Sequence, residues 1–532
     1  MTLFFCALAA LSSGRGALAA SFDTGGDLEI SWNNTIRLSS TYQFGKTSLG
    51  YSGYCPSHAP AGSDDGLGPR AECGFEAGFM TGRGDWISEL DMEYHGFGLL
   101  VSSAAWYDAV DRKQSYDEPD PSELGGRDIE LFDAFVHGET ALGNDQTLSF
   151  RVGRQDLIWG ESRYFTQDAI AGGQAPIDTY RTQGAGGYGS KTPYLPVGLA
   201  SFRWQMPGDF ALEGYYQFEW RRSRIDPRDA YAGTTDILGT EGNNVITLSH
   251  RFFYLDSYAR LPDRQPSSAD RFGLALKWHR DDFDFGLYGL QFDAKSPQIY
   301  LYARNPGAGD FFQGAYRLVY PVGIQLYGVS ASGPLGNANF GTELSIRRNM
   351  PLVNGSVFIP SELAATADND NHPRYPLGDT LHAQLSLNYV VPPASFLPDG
   401  ATWTGELAID HLLQTTANAD QLVPGRTRTA AAFRMVFEPQ FFQVLPRVDL
   451  SVPIGVGYNF LGLSEIDPAM NRGTGDVTFG VAMTLDQLWK GSVSFTHYFG
   501  WWKGAPTPFE AGYQQRALSD WDFIGVTIER SF

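Results

Sequence analysis

The sequence predicts an all-β chain: a transmembrane antiparallel up-and-down β-barrel of about eighteen strands, with long loops at one end and short turns at the other. Three observations carry that reading. Apolar and polar side chains alternate with a period of two from residue 28 to the last residue. The connections between the alternating stretches are short and long by turns. Beyond the first nineteen residues no run nears the length of unbroken apolar sequence that a helical span needs. In hydrocarbon every backbone N–H and C=O must be paired within the protein, so a closed barrel is what remains.

The first element, LEISWNNTIRLSSTYQF over 28–44, puts Leu28, Ile30, Trp32, Ile36, Leu38, Tyr42 and Phe44 on one face, with only Asn34 and Ser40 interrupting. Its other face is wholly polar, as expected of a strand between lipid and water. Further strands are expected near 85–95, 99–107, 129–139, 146–155, 198–206, 210–221, 271–280, 283–292, 322–333 and 338–348. The set closes with 380–390, 402–411, 429–438, 447–459, 474–485, 491–499 and 520–532. The short connections include HGFG, ALGND, MPGD and GPLGNA. The long ones are 45–84, 108–128, 156–197, 222–270, 293–321, 349–379, 412–428, 460–473 and 500–519. All long loops therefore lie at one end, and the even count returns the C-terminus to the periplasmic side. Within 222–270, NVITLSHRFFY reads as a hairpin of its own or an inward flap.

Tryptophans gather at membrane interfaces. Trp86, Trp106, Trp220, Trp501, Trp502 and Trp521 fall near the expected outer rim, and Trp204, Trp278, Trp403 and Trp489 near the inner one. The last strand ends on Phe532 after Ile524, Val526 and Ile528. That is similar to the signal read by barrel-assembly machinery, a partner during biogenesis, with Arg530 as the departure.

The chain has 532 residues, 19% charged and 14% aromatic, with a net charge of −21. A phosphate backbone would be repelled, which excludes nucleic acid as a partner. Residues 1–19 read as a secretory signal peptide ending in Ala17-x-Ala19, which leaves 20–532 as the barrel in the bacterial outer membrane, with outer-membrane lipids around it. Cys6 would leave with the signal, and Cys55 and Cys73, in one Gly/Ser/Asp-rich loop of an exported chain, are expected to form a disulfide.

Several stretches resemble a family of Gram-negative outer-membrane proteins known as a domain of unknown function: LSFRVGRQDLIWGES (148–162), APIDTYR (175–181) and YRLVYPVGIQLYGVSASGPLGNANFGTELSIRRNMPL (316–352), with VDLSVPIGVGY (448–458) and VSFTHYFG (493–500) as weaker echoes. The resemblance implies an outer-membrane barrel that passes amphipathic or apolar compounds. Genes of that family often lie near RND-type transporters and periplasmic partners, so both are implied as partners here. No catalytic residues come with it.

By strand parity Arg37, Glu89, Asp91, Glu93, Arg151, Glu213, Gln217, Glu219, Lys277, Glu343, Arg347, Glu406, Asp410 and Arg434 face inward. They either line a passage or pair with one another to brace the wall. Glu343 and Arg347 lie four residues apart on one strand, roughly 13 Å, so each must find its partner elsewhere. Loop 156–197 is the candidate for an inward-folded constriction; its alternative is a cap on the outside. It carries Glu161, Arg163, Asp168, Asp178, Arg181 and Lys191 among Tyr164, Phe165, Tyr180, Tyr188 and Tyr194. Charge with aromatic walls is how pores select solutes. The candidates for pore lining or constriction are thus Arg151, Glu161, Arg163, Asp168, Asp178, Arg181, Glu213, Glu343 and Arg347. ADNDNH (367–372) lacks the glycine and closing glutamate of a calcium loop, and the histidines show no metal-ligand spacing. No metal, no cofactor and no enzymatic activity are expected. The function expected is a channel for small amphipathic or apolar molecules. A barrel-embedded lipid hydrolase and a surface-binding barrel acting through its acidic loops are the alternatives.

Overall fold

The computed structural model describes residues 20–23, 27–45, 77–110, 126–178, 194–224, 245–249, 255–267, 270–302, 313–500 and 521–532. The expected signal peptide and both Cys55 and Cys73 lie outside these residues.

Eighteen antiparallel strands form the wall: Leu28–Gln43 (β1), Gly78–Tyr94 (β2), Phe97–Asp108 (β3), Arg127–Gly143 (β4), Gln146–Gln155 (β5), Val197–Met206 (β6), Phe210–Gln217 (β7), Phe272–Arg280 (β8) and Phe283–Phe292 (β9). They continue as Ile324–Leu335 (β10), Ala338–Pro351 (β11), Leu377–Val391 (β12), Ala401–Ala417 (β13), Thr429–Leu445 (β14), Val448–Ser451 with Ile454–Leu461 (β15), Gly475–Leu485 (β16), Trp489–Phe499 (β17) and Phe523–Ser531 (β18). Each pairs with the next in sequence, and β1 pairs with β18 from Thr35–Ser531 to Gln43–Phe523. The sheet is therefore closed and leaves no lipid-facing edge. Below that seam Ala20–Asp23 takes up the ladder along β1, Ala20 lying opposite Trp32. Among the described residues no helix is long and apolar enough to cross a membrane. A closed barrel with an apolar outer face is the architecture of the bacterial outer membrane.

The tight turns carry positive φ angles: His95 and Gly96, and Asn144 and Asp145, in two-residue hairpins, and Gly208 and Asp209, and Asp486 and Gln487, in three-residue ones. Outward positions expose Leu274, Leu287, Val329, Leu344, Leu385, Phe479, Val481 and Val493, which lipid covers. The two polar interruptions of β1 are satisfied locally. Asn34 Oδ1 accepts from the Trp86 indole at 3.0 Å, and Ser40 Oγ donates to the Thr81 carbonyl at 2.9 Å. Arg530 lies with its guanidinium 4.9 Å from the Trp489 ring, so its charge rests on the interfacial aromatic instead of in hydrocarbon.

The inner aromatic girdle forms at Trp204, Trp278, Trp403 and Trp489, and Trp278 stacks on Phe210 at 5.6 Å. The outer one needs correction. Trp86 faces outward, but Trp106 faces inward beneath the Arg83 guanidinium at 5.0 Å. Trp220 packs on Tyr320, and Trp521 is fully buried. Trp220 and Trp521 thus go into the packing at the loop end of the wall and not into a lipid-facing girdle. Trp501 and Trp502 lie outside the described residues.

Three long loops also build a second sheet above the wall. Its strands, in spatial order, are Val357–Ile359, Gln298–Tyr302, Gln313–Val319, Leu255–Arg260 and Val245–Ser249. The last two pair antiparallel, so that Val245–Ser249, the described part of NVITLSHRFFY, joins this sheet, while residues 250–254 lie outside the described residues. Tyr300, Tyr302, Val319, Ile359 and Tyr375 make its buried core.

Candidate functional site

After β5 the chain turns through Trp159 and Gly160 and runs along the inner wall. Two carboxylates on inward positions hold its backbone. Glu343 on β11 accepts from the N–H groups of Glu161 (2.6 Å), Ser162 (2.7 Å) and Ile170 (2.9 Å). Glu406 on β13 accepts from the N–H groups of Arg163 (2.8 Å) and Tyr164 (2.6 Å) and from Ser162 Oγ (2.6 Å). Each carboxylate oxygen thus meets at least one donor, the arrangement that lets a buried charge persist. Arg347 does the converse, donating to the carbonyls of Gln167 (2.9 Å) and Ala169 (2.8 Å). From β12, Gln384 donates to the Asp168 carbonyl and Ser386 to that of Glu161. The partners that Glu343 and Arg347 must find are therefore on this loop.

Beneath the loop the wall is apolar and buried. Trp159 and Ile170 are buried against Val197, Leu199, Tyr215, Tyr288, Leu290, Phe292 and Leu326. The Trp159 ring meets Tyr215 edge-on at 5.2 Å. Behind Ile170 the Lys295 ammonium donates to the Gly173 carbonyl at 3.0 Å, and burial lowers its pKa to about 7.

At the far side Asp168 meets two further carboxyls, Asp410 on β13 and Asp467 in the connection from β15 to β16. Asp410 accepts from Ser464 Oγ at 2.5 Å and from the Ala430 N–H at 3.1 Å. His382 Nδ1 stands 3.5 Å from Asp168. Burial pushes the Asp168 carboxyl up to about 6 against the pull of Arg347. Asp467 rises to about 7, through burial and then the charge of Asp168. Glu161 and Asp156 are also raised, mainly by burial.

The residues singled out by parity and loop position divide sharply. Glu343, Arg347 and Asp168 are buried under or within the loop. Asp178 is buried against Arg224 at 3.1 Å, and Arg224 in turn meets Glu130 at 2.7 Å. Glu213 is buried between Arg203 (2.9 Å) and Lys277 (3.1 Å). Glu161 is half-buried, and Arg181 lies outside the described residues. Arg151 and Arg163 are exposed. Arg151 lies over the Phe135 ring at 5.5 Å, while Arg163 makes no ion pair among the described residues. Asp168, Asp178, Glu213, Glu343 and Arg347 thus hold backbone or other charged side chains and are buried from the lumen. Sequence reading did not single out Trp159, His382, Gln384, Ser386, Asp467 or Lys295 as site residues. Their partners lie on other strands or loops, where no local spacing announces them.

Several solved structures are similar over most of the chain. OccAB2 of Acinetobacter baumannii shares 11% identity over 94% of this chain and 98% of its own, with a TM-score of 0.44. The outer-membrane channel DcaP of Acinetobacter baumannii shares 8% over 97% and 100%, with a TM-score of 0.40. OpdK of Pseudomonas aeruginosa, solved with vanillate, shares 8% over 94% and 98%, with a TM-score of 0.42. Superpositions this loose bear on neither residues nor substrate. No curated protein matches the chain. One family model spans residues 1–532, and the chain accordingly belongs to the family described as "Protein of unknown function (DUF1302)".

Proposed function

We propose that this barrel is an outer-membrane channel for small amphipathic molecules moving between medium and periplasm, with loop 156–197 as its constriction. The observation that carries the reading is the anchoring of 159–170 on Glu343, Glu406 and Arg347, strands away from where the loop begins. A loop that only capped the outside would have no use for six donors on two inward carboxylates.

The amphipathic preference is supported by what stays uncovered. On β5 the exposed Arg151 guanidinium lies over the Phe135 ring at 5.5 Å, and Arg163 adds an exposed charge on the loop. Ring and cation together suit a solute with an apolar body and a polar or anionic end. The test is conductance in planar bilayers, with liposome swelling in a small aromatic carboxylate and in an uncharged sugar of similar size. Wild type should conduct and admit the aromatic acid faster. Deletion of 163–192 should raise conductance while the barrel stays folded; unchanged conductance in an inserted, folded deletion variant rejects the constriction.

A further inference from the structure

Near the periplasmic mouth the strand register assembles a group that chain order hides. Glu93 on β2 lies opposite Gly98 on β3, and Gly98 lies opposite His137 on β4. Asp91 sits two residues back on the same face as Glu93. A Cβ at position 98 would fall 2.3 Å from His137 Nε2, so the glycine opens the gap across which the imidazole lies. Nε2 stands 3.7 Å from Glu93 Oε1 and 4.0 Å from Asp91 Oδ1. One ligand atom from each residue lies within 4.8 Å of the others. Asp91 Oδ1 is closed off from solvent and accepts no hydrogen bond, an arrangement that a bound cation would relieve. The inward cation next along the row, Arg151 opposite His137, is turned onto Phe135. Among the described residues the only ion-pair partner of either carboxylate is His137.

We propose that Asp91, Glu93 and His137 form a binding site for a divalent transition-metal ion, with Zn²⁺ the best-suited probe. An imidazole with two carboxylates favours such an ion over calcium or magnesium, which prefer all-oxygen shells. Two carboxylates balance the charge of one divalent ion, and three protein ligands leave a position for water. Metal–ligand bonds of about 2.0–2.2 Å set neighbouring donors roughly 3–3.5 Å apart, so side-chain shifts below about 1 Å close the site. Because the three residues stand on β2 and β4, the ion would also tie those strands across β3.

The test uses untagged full-length barrel in detergent, stripped with chelator and titrated with Zn²⁺ by calorimetry, with bound metal counted by atomic emission. Wild type should saturate at one ion per chain. His137→Ala should lose that site, and Glu93→Gln and Gly98→Ala should weaken it by at least about tenfold. Heat-dependent migration on gels establishes that each variant is folded. No saturable binding, or binding unchanged in folded His137→Ala, overturns the site, as does uptake that never saturates, the mark of diffuse attraction to acidic groups. The measurement involves no transport, so its outcome is separate from that of the channel reading.

Discussion

Gly160 has a φ of +99°, and a Cβ built on it would lie 2.7 Å from Oε1 of Glu343. The carboxylate can therefore lie against the loop backbone only because position 160 carries no side chain, and the φ itself favours glycine. Gly160→Ala should lift the loop from its anchor. The expected outcome is higher single-channel conductance and faster proteolysis within 156–178, with the barrel still resistant to detergent at room temperature.

Glu343→Gln tests the same anchor by charge instead of space. Hydrogen bonds to a charged group contribute about 1.5–3 kcal/mol each, and glutamine supplies only one acceptor oxygen where the carboxylate supplies two. At least one of the N–H groups of Glu161, Ser162 and Ile170 then loses its acceptor. Loop protection in hydrogen exchange should drop at those amides, while amides of β1, far from the anchor, stay protected.

Every barrel strand was legible because lipid outside and water inside impose a period of two on the sequence itself. Where the alternation is weak, the edges slip. The first residues of β2, GFMTGRG, hold three glycines and break the alternation with Phe79 and Met80 side by side, and this hid seven residues of strand. At the end of β7 the alternation continues through Phe218 and Trp220 after the backbone has left the sheet. The site was legible only in part. Parity places Glu343 and Arg347 inward, but their bonds to Glu161 and Ala169 span separations of 182 and 178 residues. Nothing local in the sequence marks such a contact. The same holds for His137 and Glu93, which the strand register brings together across Gly98.

Cys55 and Cys73 are two cysteines of one loop in a chain expected to be exported, an oxidising setting in which paired thiols close. Both should resist alkylation until a reductant is added. Mass analysis of intact protein with and without reductant reads this directly, and ready alkylation without reductant rejects the bridge.

The carboxyls buried with the loop give its seating on the wall a pH dependence with a sign set by their raised pKa values. Asp168 and Asp467 ordinarily titrate near 3.8 but near 6 and 7 when the loop is seated. The seated form therefore holds protons that the released loop gives up. Seating is strongest in acid and weakens as pH rises from 3.8 through the raised values. Conductance measured across that window should climb with pH, and Asp467→Asn should flatten the climb. A conductance that falls with pH in wild type would contradict the assignment.

Arg163 gives the reading its most direct electrical test. Its backbone N–H is held by Glu406 at 2.8 Å, so the position of the residue is fixed, while its side chain is exposed. The anchoring carboxylates beneath it are occupied by backbone donors, and the neighbouring Asp168 is buried. An exposed guanidinium at a constriction favours anions over cations. Under a salt gradient Arg163→Ala should move the reversal potential toward cation preference and Arg163→Glu should move it further, both with conductance near that of wild type because the loop stays seated. Substitution of Glu213, buried and neutralised between Arg203 and Lys277, should alter selectivity much less. Equal shifts at the two positions would mean that the field of the whole lumen, and not the loop, sets ion preference.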